Sequence, residues 1–322
     1  MVGFLRIMKE QWFLLGLLLI AGLTLLDGSG LISGGGKWLK AHRGPDAVIA
    51  SIFFLSGLVL RREEISSGFR DVKGTIAALA AIILLAPLAA LVLSLFPLST
   101  GMRIGLFLTA AMPTTLTSGV VMTGAAGGNM AHALLVTLLS NAIGVVTVPL
   151  SLSILLGIGR EMDAVPIDQA GLMVQIGSLV LAPLLLGMLL RPRGNSLLES
   201  MRKAVPFLNQ GLILAILWMA FSEARSSLVG GGTQIAGVMF LSFLFHALLV
   251  AGALGLATAA GLGPGRRESV VFVGGQKTLP LSVLIQTTLF PQHGIALAFC
   301  VVHHFVHLLM DGYLVSWFRR RG

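Results

Sequence analysis

Residues 271–283 read VFVGGQKTLPLSV. Apolar residues enter and leave this stretch as they would a membrane-spanning helix. Gly274 and Gly275 precede Gln276, Lys277 and Thr278, and Pro280 follows them. Glycine weakens a helix interior, and proline removes a backbone donor and clashes with the preceding turn. A lysine at the centre of a span costs about 2.5–3.5 kcal/mol on an insertion scale and does not snorkel readily from there, so it should face a cavity or a partner. The stretch predicts a helix broken at mid-membrane with Lys277 turned into the protein. The plain alternative is a shifted helix boundary that leaves Lys277 at a surface.

The rest of the chain supplies the membrane. Of 322 residues 56% are hydrophobic and 11% charged, where a soluble domain carries about 25% charged residues. Mean hydropathy is +0.94. These values exclude a soluble globule, a disordered chain and a coiled coil, and leave no room for a soluble catalytic or nucleic-acid-binding domain. Apolar runs and their breakers give ten spans, near 13–33, 45–60, 74–96, 102–124, 129–157, 168–190, 205–222, 234–262, 268–290 and 294–317. No period-two alternation supports a membrane barrel. The fold class read here is an all-α polytopic membrane protein.

The net charge is +9 and the isoelectric point about 10.8. The basic residues sit at span ends, so they set topology and meet anionic membrane lipid rather than nucleic acid. Fifteen of the 22 Lys and Arg fall on one side of a ten-span chain, six on the other, and the last is Lys277. Positive charge stays inside, which predicts both termini in the cytoplasm of a plasma (inner) membrane. Arg6 and Lys9 before a long apolar run read as the start of a first span, not as a cleaved signal. Leu197, Leu198 and Met201 beside charges make 195–203 a loop or a helix lying flat on the inner surface. The single cysteine, Cys300, permits no disulfide framework and no CxxC metal spacing.

Ten spans divide into two groups of five, and an odd number per group forces opposite orientation in the membrane. The reading is two inverted five-helix repeats, 1–160 and 161–322. Span four carries MPTTLTSGVVMTG at 112–124, where a proline, a run of hydroxyls and a glycine interrupt an apolar helix. Such a break survives only inside protein or beside a water-filled cavity. Thr114, Thr115, Thr117 and Ser118 either satisfy the freed carbonyls or line a solute or cation site. Span four and span nine are the fourth helices of their halves, and paired broken helices mark a transport site. Asn141, buried along span five, needs a partner, while Asn129 reads as a helix cap.

Span ten places His303, His307 and Asp311 at i, i+4 and i+8, on one helix face. That face admits a metal site, as in an intramembrane hydrolase, or ordinary helix–helix hydrogen bonding. It lacks the HExxH glutamate. His132 and His246 read as structural.

The order FFLSGLVLRREEI (53–65), AMPTTLTSGVV (111–121), AAGGN (125–129) and VTLLSNAIGVVTVPL (136–150) resembles the bile acid:sodium symporter family, closest to its bile-acid-symporter-like branch. The resemblance covers nearly the whole chain. It implies ten helices in two inverted repeats, broken helices 4 and 9 crossing, a core from spans 3–5 and 8–10, and a panel from spans 1, 2, 6 and 7. It also implies sodium-site positions, met here only in part. Ser118, Thr137, Gly274 and Gln276 match, whereas Gly119, Ala133, Phe272 and Ile82 stand where the family has asparagine, serine, a bridging glutamate and glutamine. Lys277 stands where the family has a neutral polar residue.

The expected function is secondary active transport of an organic anion or similar small amphipathic solute by alternating access, coupled to sodium through an incomplete site. The alternative is proton-coupled or uncoupled transport using Lys277. The expected site residues are Thr114, Thr115, Thr117, Ser118, Thr137, Asn141, Gln276, Lys277 and Thr278. No cofactor is expected beyond Na+ or H+ as coupling ion. The rivals from other classes are the metal hydrolase and a regulator without turnover.

Overall fold

The computed structural model describes residues 12–60, 70–159, 167–192, 195–229 and 232–320, and the regular structure of these residues is helical. The helices are α1 (Trp12–Leu25), α2 (Leu31–Ala41), α3 (Gly44–Val59), α4 (Val72–Leu93), α5 (Thr100–Ala111), α6 (Ser118–Ala125) and α7 (Met130–Ile158). They continue with α8 (Gln169–Leu189), α9 (Asn195–Val229), α10 (Gly232–Ala259), α11 (Arg267–Gly275), α12 (Leu279–Leu289) and α13 (Gly294–Arg319). Six of them, α4, α7, α8, α9, α10 and α13, are long and apolar enough to cross a membrane. The protein is a polytopic helical membrane protein. Arg6, Lys9, residues 61–69, Arg193 and the 160–161 repeat boundary lie outside the described residues.

Two expectations about the first half of the chain change. The first span was read to residue 33, but α1 stops at Leu25. The Asp27 carboxylate collects Ser29 Oγ, the backbone N–H of Gly30 and Ser33, and Ser33 Oγ at 2.7–2.9 Å. Gly30 takes the left-handed φ of 75° that starts α2. The glycine-rich stretch read as a loop is therefore largely helix. It lies against α9 at Gly36, where a Cβ would run into Ser222 Oγ. The segment 195–203, read as a loop or a surface helix, is the start of α9, a continuous helix of 35 residues. At 1.5 Å per residue it is about 50 Å long, so it overruns a hydrocarbon core.

Caps set the helix starts. Asp71 accepts from Gly74 N, Asn129 from His132 N and Asp168 from Gly171 N. Asp71 also takes Arg266 Nε and Nη2 at 2.9 and 2.6 Å. That hydrogen bonding holds its carboxyl at about 2, below the usual range. Asn129 N bonds Gly265 O, and Arg319 Nε bonds Ala125 O. The starts of α4, α7 and α11 and the ends of α6 and α13 therefore share one face. Ser99, Gln234 and His293 gather around a depression of about 270 Å³, which brings together the starts of α5, α10 and α13.

α4 and α8 each contain a π turn, Ala81–Leu85 and Gly177–Leu181, directly before an Ala-Pro pair. A proline ring clashes with the carbonyl four residues back, and a π turn widens the helix to relieve it. α3 packs on α8, and α9 packs on α1, α2 and α3. α13 packs on α10 and α5, and α11 on α10, α4 and α6.

Candidate functional site

α5 ends at Ala111 and α6 begins at Ser118. α11 ends at Gly275 and α12 begins at Leu279. The two gaps are joined directly, since Thr278 N donates to Pro113 O at 2.9 Å. Both gaps are unwound where the sequence placed proline, glycine and hydroxyls.

Lys277 is 2% exposed. Its Nζ donates to the carbonyls of Ile82 at 3.0 Å, Ala110 at 3.2 Å and Met112 at 2.9 Å. Each carbonyl is free for a local reason. Ala110 and Met112 lie at the end of α5, where the last carbonyls have no helical partner and the dipole favours a cation. Ile82 sits in the π turn. Ala86 N bonds Ala81 O there, and the next residue, Pro87, has no N–H to give. Two of the three, Ala110 and Met112, are carbonyls of the opened span four, and the hydroxyls of Thr117 and Ser118 are not among its partners.

Ser118 turns instead to Gln276. Its Oγ lies 2.6 Å from Gln276 Oε1, and Thr115 Oγ1 lies 2.8 Å from the same oxygen and 2.8 Å from Ser118 Oγ. Gln276 Nε2 donates to Asp311 Oδ2 at 2.7 Å, and Asp311 Oδ1 is 2.9 Å from His246 Nε2. Asn141 Nδ2 donates to the carbonyls of Thr114 at 3.2 Å and Thr137 at 2.9 Å, so it braces the first gap. Thr137 Oγ1 bonds back to Ala133 O within its own helix. Buried Thr114 Oγ1 and Asn141 Oδ1 have no partner among the described residues.

A cavity of about 500 Å³ opens beside the gaps. Thr115, Thr117, Ser118 and Thr278 line one wall. Phe13, Phe53, Pro206, Asn209, Gln210 and Ile213 line the other, with His304 and Leu308 at the side. Of the nine expected residues, four reach the cavity. Gln276 and Lys277 lie behind them, and Thr114, Thr137 and Asn141 support the backbone. Asn209, Gln210 and His304 were not expected, while Asp311 was read for a metal site or helix–helix hydrogen bonding and makes the latter. Asp311 carried a signal: a carboxylate within an apolar span needs a partner.

The face His303, His307 and Asp311 does not form a metal centre. Among the described residues no three His, Cys, Asp or Glu side chains are arranged to hold a metal ion. Asp311 is engaged by Gln276 and His246. Phe272, where the family resemblance put a glutamate, packs its ring 5.8 Å from that of Phe318. That position is apolar.

Interrupted helices joined inside a helical membrane protein, beside a cavity of mixed polarity, define the transporter class. The chain belongs to the SBF-like CPA transporter family, whose profile matches residues 11–320. The resemblance to the bile acid:sodium symporter family is thereby borne out, and the family is one of transporters, not enzymes. The chain is 32% identical over 288 residues to the probable sodium/metabolite cotransporter BASS4, chloroplastic, of Arabidopsis thaliana. That match covers 84% of this chain and 65% of the plant protein. It is 25% identical over 338 residues to sodium/bile acid cotransporter 7 of Xenopus tropicalis, covering 99% of this chain and 96% of the other.

Proposed function

We propose that this protein is a cation-coupled secondary transporter that moves an organic anion or similar small amphipathic solute by alternating access. The observation that carries it is the 500 Å³ cavity at the joined gaps, hydroxyl-lined on one wall and largely apolar on the other. An amphipathic solute matches such a lining, with few polar groups fixing its orientation. In this reading ten spans form two inverted five-helix repeats. The packing of α3 on α8 and of α9 on α1 and α3 supports a panel from spans 1, 2, 6 and 7. The remaining spans make a core that carries both gaps, and the cavity lies between the two. The membrane is a plasma (inner) membrane with both termini cytoplasmic. Sodium, named for the relatives, is the first coupling ion to test. Ser118, Thr115 and Gln276 offer it oxygen.

The geometry of Lys277 favours a second reading of the coupling. Three carbonyls converging on one ammonium is the donor set of a bound cation, and here the cation is part of the chain. Ile82, one of the three, stands at a family sodium position by resemblance. A resident ammonium leaves protons, or no ion, to drive transport. The test is uptake of radiolabelled taurocholate into proteoliposomes, in sodium-free buffer with and without a pH gradient. The parent and Lys277→Ala are compared. Strict sodium dependence in the parent supports the first reading. Gradient-driven uptake without sodium, lost in Lys277→Ala, supports the second. No uptake under any condition, for taurocholate and for a panel of smaller organic anions, overturns the transporter reading.

A further inference from the structure

One polar side chain on the apolar wall of the cavity has no part in the site as described. Asn209 of α9 lines the cavity beside Gln210, among Phe13, Ile52, Phe53, Pro206 and Ile213. It is 5% exposed. Its Nδ2 donates to Ser56 Oγ of α3 at 2.9 Å, and Ser56 lies outside the cavity lining. Ser56 gives its single hydroxyl proton to Ile52 O at 2.7 Å. It can therefore only accept from Asn209, which sets Nδ2 toward Ser56 and leaves Oδ1 as the free end of the amide. Buried Oδ1 has no partner among the described residues. Nearly every buried polar atom of a folded protein is paired, and an unpaired one weakens the fold. Ser56 fixes this acceptor at the cavity wall, where a donor on the solute completes its bonding.

We infer that Asn209 is a specificity-determining residue, and that the transported anion carries a neutral hydrogen-bond donor, an alcohol hydroxyl or an amide N–H, which meets Asn209 Oδ1. The inference rests on the transporter reading and narrows its solute class. The opposite wall carries Thr115, Thr117, Ser118 and Thr278, whose hydroxyls serve the polar end of an organic anion. The donor then sits on the other side of the solute. The helices that hold Asn209 and Ser56, α9 and α3, both belong to the panel in that reading, so the acceptor stays fixed while the core moves. A solute bonded at both walls ties core to panel, and a solute without the donor is held by the core alone. A site built to bond a hydroxyl rejects the analogue lacking it more strongly than an apolar pocket rejects a missing methylene.

Other occupants fit less well. A resident water needs two to four polar partners, and beside Asn209 this wall offers only Gln210. A hard cation takes several oxygen ligands, and one amide oxygen among aromatic and aliphatic side chains does not supply them. A charged ammonium on the solute would find no carboxylate, since the cavity lining contains no Asp or Glu. Ser56 touches Asn209 and not the cavity, so it is a positioning residue.

The test is initial uptake of matched radiolabelled anions into proteoliposomes. The pairs are taurocholate against its analogue without ring hydroxyls, and phenyllactate against phenylpropionate. The parent should take up the hydroxylated member of at least one pair about tenfold faster, the worth of one hydrogen bond to a buried acceptor. Asn209→Leu removes the acceptor and should bring that ratio to within about twofold of one. Ser56→Ala keeps the acceptor but frees the amide, and its ratio should fall between the two. Thermal unfolding without solute gives a second readout. Leucine has a similar volume and leaves Ser56 bonded to Ile52, so Asn209→Leu should unfold at the parent's temperature or above it. A parent without preference in either pair overturns the inference, as does a preference kept by folded Asn209→Leu, and both leave the transporter reading in place. Asn209→Leu that melts several degrees below the parent also overturns it, because the amide is then a support of the fold. Uptake of no anion by the parent overturns the transporter reading itself, and the inference with it.

Discussion

Lys277 is held by backbone, not by a carboxylate. Three carbonyls at 2.9–3.2 Å receive its charge. Removing the ammonium leaves buried acceptors unpaired, at about 1–3 kcal/mol for each group. Lys277→Ala should therefore melt several degrees below the parent. It also empties a pocket of oxygen atoms, so, on the reading in which the ammonium stands in a cation's place, its sodium response should exceed the parent's. In 100 mM sodium chloride its midpoint should rise by a few degrees over that in choline chloride. A ligand at about ten times its Kd stabilises by about 1.4 kcal/mol. The measurement is thermal unfolding in both salts. An equal response of parent and variant would refute the idea that the ammonium stands in a cation's place. The need for an internal partner was legible from the sequence, because a charge at mid-span demands one. The identity of the partner was legible in part: opened carbonyls of span four were expected, and Ala110 and Met112 supply two, whereas the hydroxyls of Ser118 or Thr117 expected beside them are not used and Ile82 supplies the third carbonyl. Hydroxyl type is visible in a sequence, but a freed carbonyl depends on where the helix opens.

At the level of elements, the π turn of α4 makes the Ile82 carbonyl available. Pro87 lies five residues on and gives it no N–H. In an ordinary helix interior, Pro→Ala gains about 3 kcal/mol. Here Pro87→Ala adds a donor that competes with Lys277 for the turn's carbonyls, so the gain in the parent should be small. In a Lys277→Met background nothing competes, and Pro87→Ala should recover more. The double-mutant cycle by thermal or denaturant unfolding should show coupling of about 1–2 kcal/mol, and additive effects would break the proposed link. The broken helices were readable from proline, glycine and hydroxyl clusters, and both gaps fall there. The extent of the first span was misread. Asp27 and Gly30 end α1 and start α2 through short-range hydrogen bonds, and a hydropathy pattern averages over such bonds.

For the whole molecule, the proposed orientation rests on the asymmetry of basic residues. The Asp71–Arg266 pair and the Asn129–Gly265 bond gather one set of helix ends on one face, which is cytoplasmic in that proposal. Cys300 is buried, so added thiols can be read against a low background. A membrane-impermeant maleimide on intact cells should label Leu95→Cys, whose native side chain is 84% exposed. It should label Pro264→Cys only after permeabilisation. The reverse pattern would invert the topology, and labelling of both from outside would break the span count.

Composition and apolar run length determined that the chain is a polytopic helical membrane protein, because lipid accepts only backbone that satisfies itself. Local breakers determined where two helices open, since proline and glycine act on their immediate neighbours. The tertiary structure decided what the opened backbone meets: Lys277 on carbonyls from two other helices, Gln276 between Ser118 and Asp311, and His246 opposite span ten. Those contacts join residues 35 to 195 positions apart. Their partners depend on how helices pack, and one apolar helix face looks much like another in the sequence until a neighbour is placed against it.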